Sequence, residues 1–217
     1  MCPKYLLTGL MAFALTIGSS PAGADGKQAV TGTVGLGAFV PTGDDADVSK
    51  ASVALQIGAD VQLAGRLGVQ AEFSWIPINL ESAPRPANTL IEARQVSVAA
   101  GLRLSTRPLS MGDRVPSAYI AGRIGFSRIA VTADTTTSVP GWIGRPLDAT
   151  QNLPAFSFPT RVTENAFLIS PRAGILLHPT GNTLVDISIT PSFLFDGGEV
   201  TTQIIATIGF GMLGDLN

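Results

Sequence analysis

Six charged residues stand out because each sits singly in a stretch of apolar, small or neutral polar side chains: Asp60, Glu72, Arg103, Arg123, Arg172 and Asp186. Three carboxylates and three guanidiniums cancel in charge, and charges withdrawn from water need partners of opposite sign. Gathered in one cavity, their chemistry is mutual neutralisation in a paired ionic network. Nucleophilic or acid–base catalysis needs a nucleophile, a base and an orienting group within reach of one another. The only histidine, His178, precedes Pro179 and Thr180 with no serine set beside it, so it reads as a turn residue. Asp44, Asp45 and Asp47 offer oxygens to a hard cation but lack the spaced ligands and terminal Glu of a calcium hand, which leaves a solvated acidic loop. Gly32 to Gly37 is followed by neither a helix nor a Lys, so it reads as strand and not as a phosphate cradle. No catalytic activity, cofactor or metal is expected.

Whether one cavity gathers the six charges depends on the elements that carry them. From Ser52 to Ala64 the chain alternates with period two: Val53, Leu55, Ile57, Ala59, Val61 and Leu63 share one face, and Ala54, Gln56, Gly58, Asp60 and Gln62 the other. Leu67 to Trp75 and Gln95 to Leu104 repeat the pattern, as do Ser117 to Ile129, Ala166 to His178, Thr183 to Phe195 and Glu199 to Met212. A Gly-rich stretch, Ala29 to Val40, is the first of eight predicted strands. Each of the six charges lies on the polar parity of a different strand, within about six residues of the proposed periplasmic end, so a closed sheet brings them to similar depth.

The linkers are Pro41 to Lys50, Gly65-Arg66, Pro77 to Ile91, Ser105 to Val115, Ala130 to Asn165, Pro179 to Asn182 and Asp196 to Gly198. Long and short mostly alternate, as external loops and periplasmic turns of membrane barrels do. The fourth is long for a periplasmic turn and the seventh short for an external loop. Ahead of the strands, Met1 to Ala24 carries Lys4, an apolar run from Tyr5 to Ile17 and the triplet Ala22-Gly23-Ala24, the signature of a cleaved secretory signal. The domain reading is therefore a signal peptide over 1–24 and one β domain over 25–217. Cys2, the single cysteine, falls within the signal and ahead of the apolar run, so the mature chain holds no thiol or disulfide. Without the signal, 13 basic residues face 16 acidic ones, a net charge of −3 that excludes a basic nucleic-acid footprint.

A soluble barrel alternates too, so the face that meets water must decide. Charged residues make up 14% of the chain, where about a quarter is usual for a soluble domain, and the polar face is mostly Gly, Ser, Thr, Ala and Gln. Those side chains fit a narrow lumen, which turns the apolar face toward lipid. There only a closed barrel leaves no unpaired strand edge. Phe73, Trp75, Phe126, Phe167, Phe193 and Phe195 share the apolar parity, mostly toward the external ends, where an interfacial girdle belongs. The segment Ala118-Tyr119-Ile120-Ala121-Gly122-Arg123-Ile124-Gly125-Phe126-Ser127, with its aromatic, Gly-x-x-Gly, aromatic pattern, resembles the strands of the OmpA and OmpX type of small eight-stranded outer-membrane barrel. That resemblance, which extends as architecture over Gln28 to Leu213, implies an all-β, closed antiparallel transmembrane barrel in the bacterial outer membrane.

Two features bear on its task. Pro171 and Pro191 fall inside predicted strands on the lipid-facing parity, and each removes a ladder donor. Folding about the Pro179 to Asn182 turn sets them nearly opposite, so the wall between strands six and seven is expected to unzip locally as a lateral opening, with a tolerated bulge as the alternative. The linker Ala130 to Asn165 presents Trp142, Phe156 and Phe158 as apolar anchors of an exposed recognition loop. The expectation is a monomeric, non-enzymatic barrel with an envelope-structural or surface-interaction role. Its expected partners are outer-membrane lipid, lipopolysaccharide and a surface ligand or protein. A transport or lipid-access barrel and a soluble periplasmic lipocalin-like carrier remain the alternatives.

Overall fold

A computed structural model of the chain describes residues 28–42, 49–80, 89–109, 114–135, 158–196 and 198–216. Residues 1–24, expected to be a signal peptide, and Asp44, Asp45, Asp47, Trp142 and Phe156 lie outside the described residues. Eight long strands follow one another as β1 (Gln28–Thr42), β2 (Ser52–Ala64), β3 (Leu67–Leu80), β4 (Thr89–Ser105), β5 (Ser117–Thr135), β6 (Phe158–Leu177), β7 (Thr183–Asp196) and β8 (Glu199–Leu216). A two-residue strand, Ser49–Lys50, adds to the outer end of β3. Each long strand pairs antiparallel with the next, and β1 pairs with β8 from Gln28↔Leu216 to Thr42↔Thr202, so the sheet closes on itself.

Closure follows from the alternation. On β2 the even positions Ala54, Gln56, Asp60 and Gln62 are buried inside the barrel, whereas Val53 and Ile57 face outward and exposed. Leu36, Ile120, Ile124, Ile208 and Phe210 continue the outward face, each more than half exposed, a surface that water would penalise and hydrocarbon accepts. Phe126, Phe167 and Phe195 stack along one row of it, with ring centroids 6.0 and 6.4 Å apart. Among the described residues no helix is long and apolar enough to cross a membrane.

Several strands are longer than their alternation predicts, β3 running on to Leu80 and β8 to Leu216, and three exceed it most. β4 starts at Thr89 instead of Gln95, β5 runs on to Thr135 instead of Ile129, and β6 begins at Phe158 instead of Ala166. Thr89 pairs with Thr135, and Thr135 with Phe158, so the three strands rise together. From Phe126 to Thr135 this is roughly 30 Å of strand at about 3.3 Å per residue. Above the girdle the ladder hydrogen bonds continue while the period-two signal of the sequence disappears. Phe158, expected in a loop, is thus the first residue of a strand.

The short connections carry the turn chemistry. Gly65 closes the β2–β3 turn with φ 51°, and Gly198, with φ 103°, lets Asp196 pair with Glu199 in the tight seventh link. Thr180 and Thr183 hydrogen-bond through their hydroxyls at 2.7 Å across the β6–β7 turn.

Candidate functional site

The alternation that turns Val, Ile and Leu outward turns one charge from each of six strands into the lumen. All six are buried there: Asp60 on β2, Glu72 on β3, Arg103 on β4, Arg123 on β5, Arg172 on β6 and Asp186 on β7. They form two groups. In the first, Glu72 accepts from Arg123 Nη1 at 2.7 Å and from Arg172 Nη1, and Arg172 Nη2 reaches Asp186 Oδ2 at 2.5 Å. In the second, Arg103 Nη2 meets Asp60 Oδ1 at 2.9 Å. Arg123, the largest fully buried side chain, also donates from Nη2 to Ser170 Oγ at 2.8 Å.

Tyr119, two turns of the pleat below Arg123 on β5, joins the two groups. Its hydroxyl donates to Asp186 Oδ1 at 2.9 Å and Oδ2 at 3.1 Å. The Arg103 and Arg172 guanidiniums each lie 5.9 Å from its ring centroid, within the range of cation–π attraction. The sequence reading used Tyr119 only as an aromatic of the strand motif; its parity, shared with Ala121 and Arg123, was the available sign that it faces the lumen. Gly174 lies opposite Tyr119 in the ladder, and a Cβ there would meet the ring at 2.7 Å. Gly174→Ala therefore pushes Tyr119 off Asp186. The expected loss is about 1–3 kcal/mol, as for overpacked sites, read as a lower urea midpoint, with Thr183→Ala in the exposed turn as a near-neutral control.

Below the charges the periplasmic mouth is filled by an apolar cluster of Ala29, Leu109, Tyr119, Leu176, Leu184 and Leu213. Leu109 comes from the long fourth linker, and its backbone N donates to Gln62 Oε1 at 2.8 Å inside the barrel. The length that set this linker apart from a simple turn thus carries a plug; no periodicity marks Pro108-Leu109, so alternation had no means of finding it. Toward the external side, Ser97 donates to Ser127 at 2.9 Å, Thr207 donates to Gln56 at 2.8 Å, and Phe39, Ala54, Ile76 and Ile205 pack together. The cavities left on the two sides of Glu72 are about 10 and 30 Å³. A buried water needs at least roughly 10–15 Å³ by this measure, so the larger has room for one or two waters and the smaller is at the limit for one.

His178 follows β6 directly and is buried at the periplasmic end, a turn residue with an inward side chain. Pro171 and Pro191 lie on the outer wall. Between β6 and β7 the ladder runs from Phe167↔Phe195 to Ile169↔Phe193, lapses, and resumes at Ala173↔Ile189. The lapse takes in both prolines. β5 and β8 still pair across them, at Gly122↔Pro171 and Pro191↔Ile204.

No protein-family model matches the sequence, and no curated protein does. Solved structures match the fold. Ail, the attachment invasion locus protein of Yersinia pestis, solved in complex with the heparin analogue sucrose octasulfate, superposes with a TM-score of 0.52 at 13% identity over 87% of this chain and 98% of that one. Neisserial surface protein A gives a TM-score of 0.52 at 11% identity, covering 85% of this chain and 96% of that one. At these identities the likeness is one of fold: the chain is a closed, eight-stranded antiparallel barrel of the small outer-membrane kind.

Proposed function

We propose that the protein is a non-enzymatic barrel of the bacterial outer membrane that works as a rigid scaffold, engaging partners through the structures raised above its aromatic girdle. The carrying observation is the filled lumen. Four ion pairs, a tyrosine strut and an apolar plug occupy the space that a conduit would leave to water. A wall filled in this way transmits no solute while its network stands, and it holds β4, β5 and β6 in a fixed upward extension. Recognition on rigid scaffolds falls to such protruding segments and the loops they carry. The likeness to Ail and to Neisserial surface protein A supports a surface role at the level of fold.

The test has two parts. The expressed protein is expected in the outer-membrane fraction, with gel migration that shifts on boiling, and without steady conductance in planar bilayers. Replacing residues 136–157 by a short Gly-Ser linker is expected to preserve the heat shift and abolish capture of the displaying cells on immobilised lipopolysaccharide or extracellular-matrix protein. Steady conductance from the unmodified barrel would overturn the scaffold reading in favour of transport.

A further inference from the structure

The outer wall is not uniformly ridged. Leu102 and Leu104 on β4 and Ile120 on β5 form one bank, and Ile189 and Pro191 on β7 the other. Between them the outward side chains shrink to Gly122, Pro171 and Ala173, which neighbour one another through Gly122↔Pro171 and Ile120↔Ala173. At Gly122 a Cβ would meet nothing within 4 Å. The result is an apolar trough of about 510 Å³, within the roughly 300–1,000 Å³ of sites that hold a small molecule. Its floor includes the stretch where the β6–β7 ladder lapses.

The trough runs down to the periplasmic rim, where the exposed charges that flank its lining residues in sequence are basic. Leu67, which lines it, is preceded by Arg66; Leu104, which also lines it, is followed three residues on by Arg107. Both arginines are exposed, and they are close neighbours, because Arg66 O accepts from Ser105 N at 2.9 Å and from Ser105 Oγ at 3.1 Å. Arg114, exposed on the same linker as Arg107, is adjoined in sequence by Asp113 and so adds no net charge, which leaves Arg66 and Arg107 as the cations that bear on the trough. A hydrocarbon trough that ends on exposed guanidiniums at a membrane interface matches one kind of molecule, an acyl chain bearing an anionic head.

We propose that the trough and this rim hold one anionic glycerophospholipid of the periplasm-facing leaflet, with an acyl chain along Gly122, Pro171 and Ala173 and its phosphate on Arg66 and Arg107. The site rests on the membrane placement proposed above. It is an attachment point on the wall and asks for no passage into the filled lumen.

Native mass spectrometry of the full-length barrel in detergent tests it, with phosphatidylglycerol and phosphatidylcholine of identical acyl chains as probes. One phosphatidylglycerol is expected to stay bound at an activation that strips phosphatidylcholine at least fivefold more completely. Gly122→Leu with Ala173→Leu fills the trough and should cut retention of both lipids about tenfold; Ala173→Leu alone gives a smaller loss. Arg66→Glu with Arg107→Glu should erase the preference between headgroups and leave the acyl-dependent part. Heat-dependent gel migration checks that each variant is folded. A folded barrel that retains neither lipid, or equal retention of the two, or retention unchanged by either pair of substitutions, overturns the site and leaves the membrane placement standing.

Discussion

Glu72→Ala is expected to cost the barrel about 3–5 kcal/mol, the usual loss when one partner of a buried ion pair is removed and the other charge is stranded. Among the described residues Glu72 is the only carboxylate within ion-pair distance of Arg123, while Arg172 keeps Asp186 when Glu72 is gone. Arg123 would retain its hydrogen bonds to Ser170, which satisfy donors without offsetting charge. The decisive measurement is a urea unfolding series of three proteins in the same detergent: Glu72→Ala, Arg123→Met and the double variant. Stranding explains the loss if the double variant is more stable than Glu72→Ala, because it removes both members. Additive losses would instead assign Glu72 a packing role and dissolve the network as a unit.

Ile124→Arg is the second large effect. Ile124 is 61% exposed on the outer wall, between Ala100 and Ile169 in the ladder and inside the band below Phe126. A guanidinium at the middle of a barrel's lipid face costs about 2–4 kcal/mol, and less toward the interfaces. The same substitution at Glu92, exposed above the girdle, should cost almost nothing, and Ile124→Leu should be neutral. The expected order in a refolding titration into lipid vesicles is thus Ile124→Arg far below wild type, with the other two beside it. If Ile124→Arg folded as well as wild type and left detergent more readily, the outward face would be a water face, and a soluble carrier would replace the membrane barrel.

Much of this molecule could be read from period two alone. The eight strands, the inward parity of six charges and the outward parity of six aromatics all follow from alternation, because lipid on one side and a packed lumen on the other impose opposite demands on neighbouring residues. Where apolar and polar side chains stop alternating the signal fails. Residues 130–135 and 158–165 belong to strands although they read as linker, since their ladder rests on backbone hydrogen bonds that any side chain permits. Leu109 was hidden for a related reason: it enters the barrel from a connection with no repeat at all. The six charges could be assigned to one cavity but not to partners, because the pairing of Arg103 with Asp60, and of Arg123 and Arg172 with Glu72, is set by the stagger of the strands around the barrel, which a single sequence does not display. The prolines, by contrast, announced themselves, each lacking the N–H that a ladder position requires.

The pairing of β1 with β8 sets the order in which the molecule can be made. Gln28 is paired with Leu216, so β1 cannot complete its hydrogen bonds before β8 has been synthesised. Until then the chain is a ribbon with two sticky margins, at β1 and at β8, and no fraction of the cylinder is a stable resting point in hydrocarbon. Closure of the cylinder is therefore the pairing with the largest separation along the chain, and whatever covers the β1 and β8 margins before it must leave both for the seam to form.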